Sequence, residues 1–345
     1  MEDRLLGLMN VSGNGLLKSE FDYSLFLSRY MCGGVALTES RTVSRQRLEL
    51  VKLGVAEHDI AAVKLHEDIV RYRKAITDFS TANEITVELL CKANGRFSQR
   101  GKPFGKIRKT QNWVGKSIEN ASYLPPEPQK LDSLLRSLCS MANEPITLNS
   151  AEYITYLYGQ LIMIHPFCEG NGRTSRAIVE ATLLDSSIPP INFSLYRVGL
   201  EPSIYRNSFW NLNTNYEDIS FSSYWNDAYD WCKTYYEEAE KTLEAARRNI
   251  INKTALLPLS ADTIRVMNGF WQSPLLTPKY IQQQFNWSHD RLYKAINCLI
   301  QIGLIKVFKL KLDSSNPVFV CEELSNAWKQ LDDLVFSNKK LEIKQ

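Results

Sequence analysis

The stretch His165-Pro166-Phe167-Cys168-Glu169-Gly170-Asn171-Gly172-Arg173-Thr174-Ser175-Arg176 compresses a base, a carboxylate, two glycines, an amide and two arginines into twelve positions. Proline disfavours the α conformation at the residue before it, so the helical pattern of 150–164 should end about His165 and leave the imidazole at the mouth of a loop. Glycines on either side of Asn171 let backbone N–H groups turn towards one point. A helix that follows aims the positive end of its dipole there, which makes an anion cradle. Arg173 and Arg176 lie three apart, share a helix face and add guanidiniums suited to phosphate oxygens, so the pair implies more than one phosphate. Cations in a first helical turn oppose the dipole at a cost of about 0.3–1 kcal/mol each. A purely structural loop gains nothing from that placement, whereas bound polyphosphate converts the repulsion into attraction. Glu169 offers a hard oxygen at the same loop, and Mg²⁺ takes only one or two carboxylates before substrate phosphates complete its shell. His165, with an ordinary pKa near ~6.5, can take a proton at neutral pH. Cys168 reads as a space-filling residue rather than a nucleophile.

Around this loop the chain reads as helix. Ser44 to Ile76 carries apolar residues at three- and four-residue spacing. The pattern returns at Leu131 to Met141, at Ser150 to Ile164 with Asn149 or Ser150 as N-cap, and at Thr174 to Leu184. Between them, Asn94 to Lys116 is polar and glycine-bearing and reads as a loop or short hairpin, closed off by the Pro-rich Tyr123 to Gln129. A Pro-Pro break at Pro189 and Pro190 precedes an aromatic-rich helical region, and a boundary follows near Asn252 to Ser260. The remainder runs as a helix (Ala261 to Trp271), TPKYIQQQFN, a turn at Asn286 to Ser288, a second helix HDRLYKAINCLIQIG, and the β-like runs LIKVFKL and PVFVC. That is the order of a winged helix-turn-helix. The expected class is therefore mostly α, with a small α+β region at the C-terminal end.

Length and composition narrow the function classes. At 345 residues, with 44% hydrophobic and 23% charged side chains, the chain is an ordinary globular protein of two or three domains. The 41 basic and 38 acidic residues leave a net charge of only +3, so no polybasic coat for nucleic acid is present. Seven cysteines without any CxxC pair suggest neither a disulfide framework nor a zinc site, and they fit a reducing cytoplasm. The acidic start MEDRLLGLMN and the lack of 18 uninterrupted apolar residues argue against export and membrane spanning.

The twelve residues 165–176 match HPFx(D/E)GNGRxxR, the signature of the Fic family, at every specified position. The resemblance extends to GKIRKTQNWVG (Gly105 to Gly115) followed by YLPPEP, similar to the family's flap and the segment after it, and covers about residues 35 to 235. It implies a mostly α-helical Fic fold with a small flap hairpin that transfers AMP from ATP to a hydroxyl side chain of a protein. Carried over by position, His165 is the general base and Glu169 the Mg²⁺ ligand. Gly170, Asn171 and Gly172 hold the α- and β-phosphates, with Thr174 and Ser175 in the same ATP-binding run and Arg173 and Arg176 on the distal phosphates. Tyr205 and Asn213 are candidates for the adenine pocket. The flap residues Gln111, Asn112, Trp113, Val114 and Gly115 would receive an extended target segment through main-chain bonds; the alternative is a surface hairpin anchored by a buried tryptophan. Thr38 to Ser44 aligns with the family's inhibitory-helix segment, commonly IEGNxLT, and makes Glu39 an autoinhibitory carboxylate pairing with Arg176. In that alignment Ser40 and Arg41 replace the usual Gly-Asn.

The resulting domain expectation is a helical region with the inhibitory segment over 1–82, a Fic domain over 83–252 and a winged helix-turn-helix over 253–345, the last resembling the extra domain of many bacterial Fic proteins. Expected cofactors are ATP and Mg²⁺. Expected partners are a protein substrate, the chain itself included, and a second copy in a homodimer. Two alternatives stay open: the same site removing AMP or moving another nucleotide, and a DNA-binding transcriptional regulator with a nucleotide-sensing Fic site. For DNA, the second helix offers only His289, Arg291 and Lys294, and the wing adds Lys306, Lys309 and Lys311.

Overall fold

The computed structural model describes residues 43–98, 103–144, 150–184, 238, 241–310 and 313–342. Two units divide them, one of 43–66 with 238–337 and the other of 67–184 with 338–342.

The first helices are α1 (Arg45–Lys52) and α2 (Ile60–Ser80). The apolar periodicity of Ser44 to Ile76 reads as continuous, but the chain breaks between them. Gly54 takes φ +71°, and Asp59 starts α2 by accepting the Ala62 N–H at 3.1 Å. A periodic stripe does not register a left-handed residue in its path, whereas a Cβ-free residue makes that turn cheap.

The unit of 67–184 continues with α3 (Val87–Gly95), the strands β1 (Val114–Gly115) and β2 (Ala121–Tyr123), a short 3-10 turn at Pro128–Lys130, α4 (Leu131–Ala142), α5 (Ser150–Ile164) and α6 (Asn171–Leu184). Thr86 caps α3 through the Leu89 N–H. Leu90, Leu131, Leu135, Leu157, Leu161 and Phe167 are fully buried and form the centre of this unit. The end of α2 is clamped to the end of α3 by Asp78, which receives Arg96 at 2.6 and 2.9 Å and Lys92 at 2.9 Å. These contacts hold the foot of α3 in place, and with it Asn94, whose side chain organises the site. β1 pairs antiparallel with β2 in a two-stranded sheet, with an irregularity between Val114 and Gly115.

In the other unit, a helical run over 241–254 precedes α7 (Ala261–Gln272), β3 (Leu275–Leu276), α8 (Pro278–Phe285), α9 (His289–Gln301), β4 (Ile305–Leu310), β5 (Asp313–Cys321) and α10 (Glu322–Glu342). Thr277 and Ser288 cap α8 and α9, and Asn286 closes α8 in the left-handed region at φ +53°. The sheet order is β3-β5-β4, antiparallel throughout, with Leu276 opposite Phe319 and Val307 opposite Phe319. β3 was not expected, because two residues are too short to show alternation. The pairing of Leu275 and Leu276 with β5 and the Cys321 N–H donated to Pro274 O at 2.9 Å create it. Val266, Phe270, Leu292, Ile296, Leu299 and Phe319 fill the core between helices and sheet.

Candidate active site

α5 ends at Ile164 and α6 begins at Asn171, three residues earlier than the helical pattern from Thr174 suggested. Between them His165 adopts φ +46°, a conformation that is uncommon for a residue with a Cβ and costs roughly 1–2 kcal/mol. The following proline denies His165 the helical continuation, so the chain turns there. The ring Nδ1 lies 3.1 Å from Ile162 O. A carbonyl oxygen only accepts, so Nδ1 carries the proton in the neutral ring and Nε2 keeps its lone pair. Burial pushes the His165 pKa down, opposed by the Ile162 carbonyl, and the Arg108 charge pushes it further down. The ring is thereby kept in its neutral, proton-accepting form.

The loop is closed from inside. The buried Asn171 accepts the Phe167 N–H at 3.0 Å and donates to Phe167 O at 2.8 Å, so its amide holds the loop and only its backbone faces outward. Thr174 and Ser175 are fully buried and direct their hydroxyls to Gly170 O and Asn171 O. Any contact of these two with a ligand is therefore through the main chain. Gly170 sits at φ +81°, and an added Cβ would stand 3.0 Å from the Asn94 amide and from Phe104. Asn94, on α3, donates to Glu169 O at 3.0 Å and to Thr174 Oγ1 at 3.1 Å, and accepts the Gly105 N–H at 2.7 Å. One fully buried amide thus fixes both ends of the turn, and its place on another helix hid it from motif reading.

The cations emerge from the same first turn. Arg173 stacks over Phe97 at 5.1 Å and Phe104 at 5.6 Å, which orients the guanidinium. Arg176 follows one turn on, close enough to Gly172 that a Cβ there would meet its Nη1 at 3.3 Å. A turn deeper lies Glu180, 6% exposed, beside the Tyr72 hydroxyl and the Arg176 charge. Burial pushes its carboxyl up to about 8, with the Tyr72 hydroxyl and the Arg176 charge opposing. Glu180 was not singled out from sequence, although a Glu on the otherwise apolar stripe Ala177, Ile178, Ala181 was a readable signal.

The segment after residue 103 is fastened to the loop. Ile107 bridges Phe167, and the Arg108 N–H donates to Pro166 O at 2.9 Å. Asn112 donates to Phe167 O at 3.2 Å and Gln111 to Pro125 O at 2.8 Å. Tyr123, in β2, donates its hydroxyl to Met163 O at 2.7 Å. Trp113 is 39% exposed, so the reading of a hairpin anchored by a buried tryptophan does not hold. Val114 beside it is also exposed, and Gly115 turns the chain at φ +136°. Glu169 is half-buried and Cys168 exposed.

Glu39, Tyr205 and Asn213 lie outside the described residues. Among the described residues no group of three His, Cys, Asp or Glu side chains could hold a metal. A divalent ion here would need ligand oxygens besides Glu169, which is the donor set of a Mg²⁺–phosphate site. No described helix is long and apolar enough to cross a membrane.

The sequence model of the Fic/DOC family matches residues 84–183. The protein adenylyltransferase Fic of Nematostella vectensis is 24% identical over 161 residues, 46% of this chain and 36% of that protein. The protein adenylyltransferase Fic of Drosophila persimilis is 25% identical over 167 residues, 46% of this chain and 30% of that protein. The chain thus spans about a third of the length of these curated relatives. Among solved structures, a Fic domain containing signaling protein from Bacteroides thetaiotaomicron aligns with TM-score 0.53 at 17% identity, over 66% of this chain and 90% of that one. Fic-1 from Caenorhabditis elegans aligns with TM-score 0.52 at 20% identity, over 70% and 71%. Both likenesses concern the fold.

Proposed function

Residues 84–183 form a Fic domain, and we propose that this domain transfers AMP from ATP to a Ser, Thr or Tyr hydroxyl of a protein, as the names of its curated relatives suggest. The observation that carries the reading is one short loop with a neutral imidazole at one end, Nε2 unprotonated, and a helix N-terminus bearing Arg173 and Arg176 at the other. The first-turn backbone of α6, opened by Gly170 and Gly172, cradles the α- and β-phosphates, and Arg173 and Arg176 take the distal ones. Thr174, Ser175 and Asn171 supply the rigid frame through their buried side chains. The target hydroxyl gives its proton to His165 Nε2 while its oxygen bonds to the α-phosphorus. The bond from that phosphorus to the bridging oxygen breaks and pyrophosphate leaves. Such transfer depends on positioning and charge more than on covalent catalysis. Glu169 would hold Mg²⁺, which supplies neutralisation of phosphate charge when bound.

In this reading the target segment adds alongside β1, guided by Gln111 to Gly115. The exposure of Trp113 and Val114 supports that arrangement. Tyr205 and Asn213 line the adenine, and Glu39 restrains Arg176. We read residues 253–345 as a winged helix-turn-helix from the order α8, α9, β4, β5. As a DNA reader it is weakly equipped, because Arg291 is engaged by Asp262 at 2.7 and 2.8 Å and stacked on Trp287.

The test is incubation of the full chain with α-labelled ATP, Mg²⁺ and lysate, followed by intact-mass analysis. We expect a protein-bound AMP that disappears in His165→Ala. The acid limb of the rate should fall below the usual histidine pKa of ~6.5, because the buried ring resists protonation. No AMP on any protein, with Glu39→Gly as well as with the wild type, would remove the assignment.

A further inference from the structure

Arg108 is 3% exposed, and among the described residues none of its hydrogen-bond partners is a carboxylate. Its guanidinium instead donates to three backbone carbonyls from separate points of the chain. Nε reaches His165 O at 2.9 Å, Nη1 reaches Thr110 O at 3.1 Å and Nη2 reaches Pro126 O. A buried cation held by neutral carbonyls is costly, and burial pushes the Arg108 pKa down accordingly. Tying two loop ends together does not require a charge, since a neutral amide would serve. Reaching three diverging carbonyls from one buried point does require a planar fork with five donors.

What the fork holds is the residue with the least comfortable backbone in the loop. His165 is held at φ +46° by three anchors: its N–H to Leu161 O at 3.1 Å, its Nδ1 against Ile162 O, and its carbonyl to Arg108 Nε. The first two run back into α5, and the ring bond to Ile162 O holds only while the His165 backbone keeps its left-handed angle. Arg108 is the anchor that comes from outside the helix, so it decides where the His165 carbonyl points and therefore how the ring is presented. The other two carbonyls lie just before β1 and just after β2, the segment placed above as the docking edge. The same side chain thus ties that edge to the base.

We propose that Arg108 is a positioning residue for the transfer: it locks the left-handed backbone of His165 and couples that lock to the 110–126 segment. The proposal rests on the Fic reading for its rate consequences, but its structural content stands without it. The nucleotide cradle has its own fastenings, Asn94 and the Asn171–Phe167 pair, which Arg108 does not touch. Loss of Arg108 should therefore affect catalysis and nucleotide binding differently. A misplacement on the order of 1 Å costs roughly 100-fold in rate.

The experiment compares wild type with Arg108→Gln and Arg108→Lys in the full chain. Four quantities are measured: kcat for AMP transfer, ATP affinity by calorimetry, melting temperature, and the tautomer of His165 by ¹⁵N NMR, which is tractable because the chain has four histidines. We expect kcat to fall about 100-fold in Arg108→Gln and less in Arg108→Lys, ATP affinity to stay within about threefold, and the Nδ1–H tautomer to become mixed in Arg108→Gln. Wild-type kcat in Arg108→Gln overturns the proposal. So does a parallel fall of kcat, ATP affinity and melting temperature, which marks a merely structural residue. If the wild type transfers no AMP, the functional reading fails and the NMR readout alone decides. An unchanged Nδ1–H tautomer in Arg108→Gln then overturns the Arg108 assignment.

Discussion

Replacing Glu180 by Gln should remove a pH dependence from the stability of this protein. Glu180 is 6% exposed, and burial pushes its carboxyl up to about 8 against an ordinary 4.5, in spite of the Tyr72 hydroxyl and the Arg176 charge. A group whose folded pKa exceeds its unfolded value contributes fully below the unfolded pKa. That contribution is lost as pH rises towards the folded pKa, because the unfolded chain ionises first. With these two values, the loss between pH 5 and pH 7 is about 2–3 kcal/mol, and it levels off above about pH 8. Gln keeps the shape and cannot ionise, so the difference between variant and wild type isolates this one titration from all others. Urea unfolding at pH 5, 6, 7 and 8 should show the Gln variant gaining on the wild type by about 1 kcal/mol per pH unit across that range. Parallel stability curves, within about 0.5 kcal/mol, would refute the reasoning and mean that the carboxylate finds a compensating partner.

Asn94→Ala should destabilise the helical unit by about 2–4 kcal/mol in chemical denaturation, since it removes a buried amide that serves Glu169 O, Thr174 Oγ1 and the Gly105 N–H. ATP affinity, measured by calorimetry, should fall with it because the turn at Gly170 loses its support. Glu169→Ala should abolish Mg²⁺-dependent transfer while leaving circular dichroism and melting unchanged, as the side chain is only half-buried and the loop is fastened through the Glu169 backbone; full activity would take Glu169 out of the site. Glu39→Gly should raise self-labelling from α-labelled ATP by tens- to about a thousand-fold, the worth of releasing a few kcal/mol on Arg176, and adding Arg176→Ala should remove most of that gain. Equal labelling by wild type and Glu39→Gly would remove the inhibitory role from Glu39.

The loop at 165–176 was legible in the sequence because its determinants are local. Pro166 stops a helix at the residue before it, glycine at 170 permits a positive φ, and residues three apart share a helix face wherever the helix sits. The same holds for the helix caps at Thr86, Thr277 and Ser288, whose partners lie three residues away. Tertiary structure alone decided which polar groups face inward. Thr174 and Ser175 stand in the motif yet are buried. Asn94 and Arg108 stand outside it yet hold it, across separations of 75 and 57 residues. The strand at Leu275–Leu276 belongs to this second class, since it is settled by what pairs against it. Periodicity and motif spacing report the geometry of one element. The fate of a buried donor or carboxyl is set by which distant atoms the packed core brings within about 3 Å, and no local pattern encodes that.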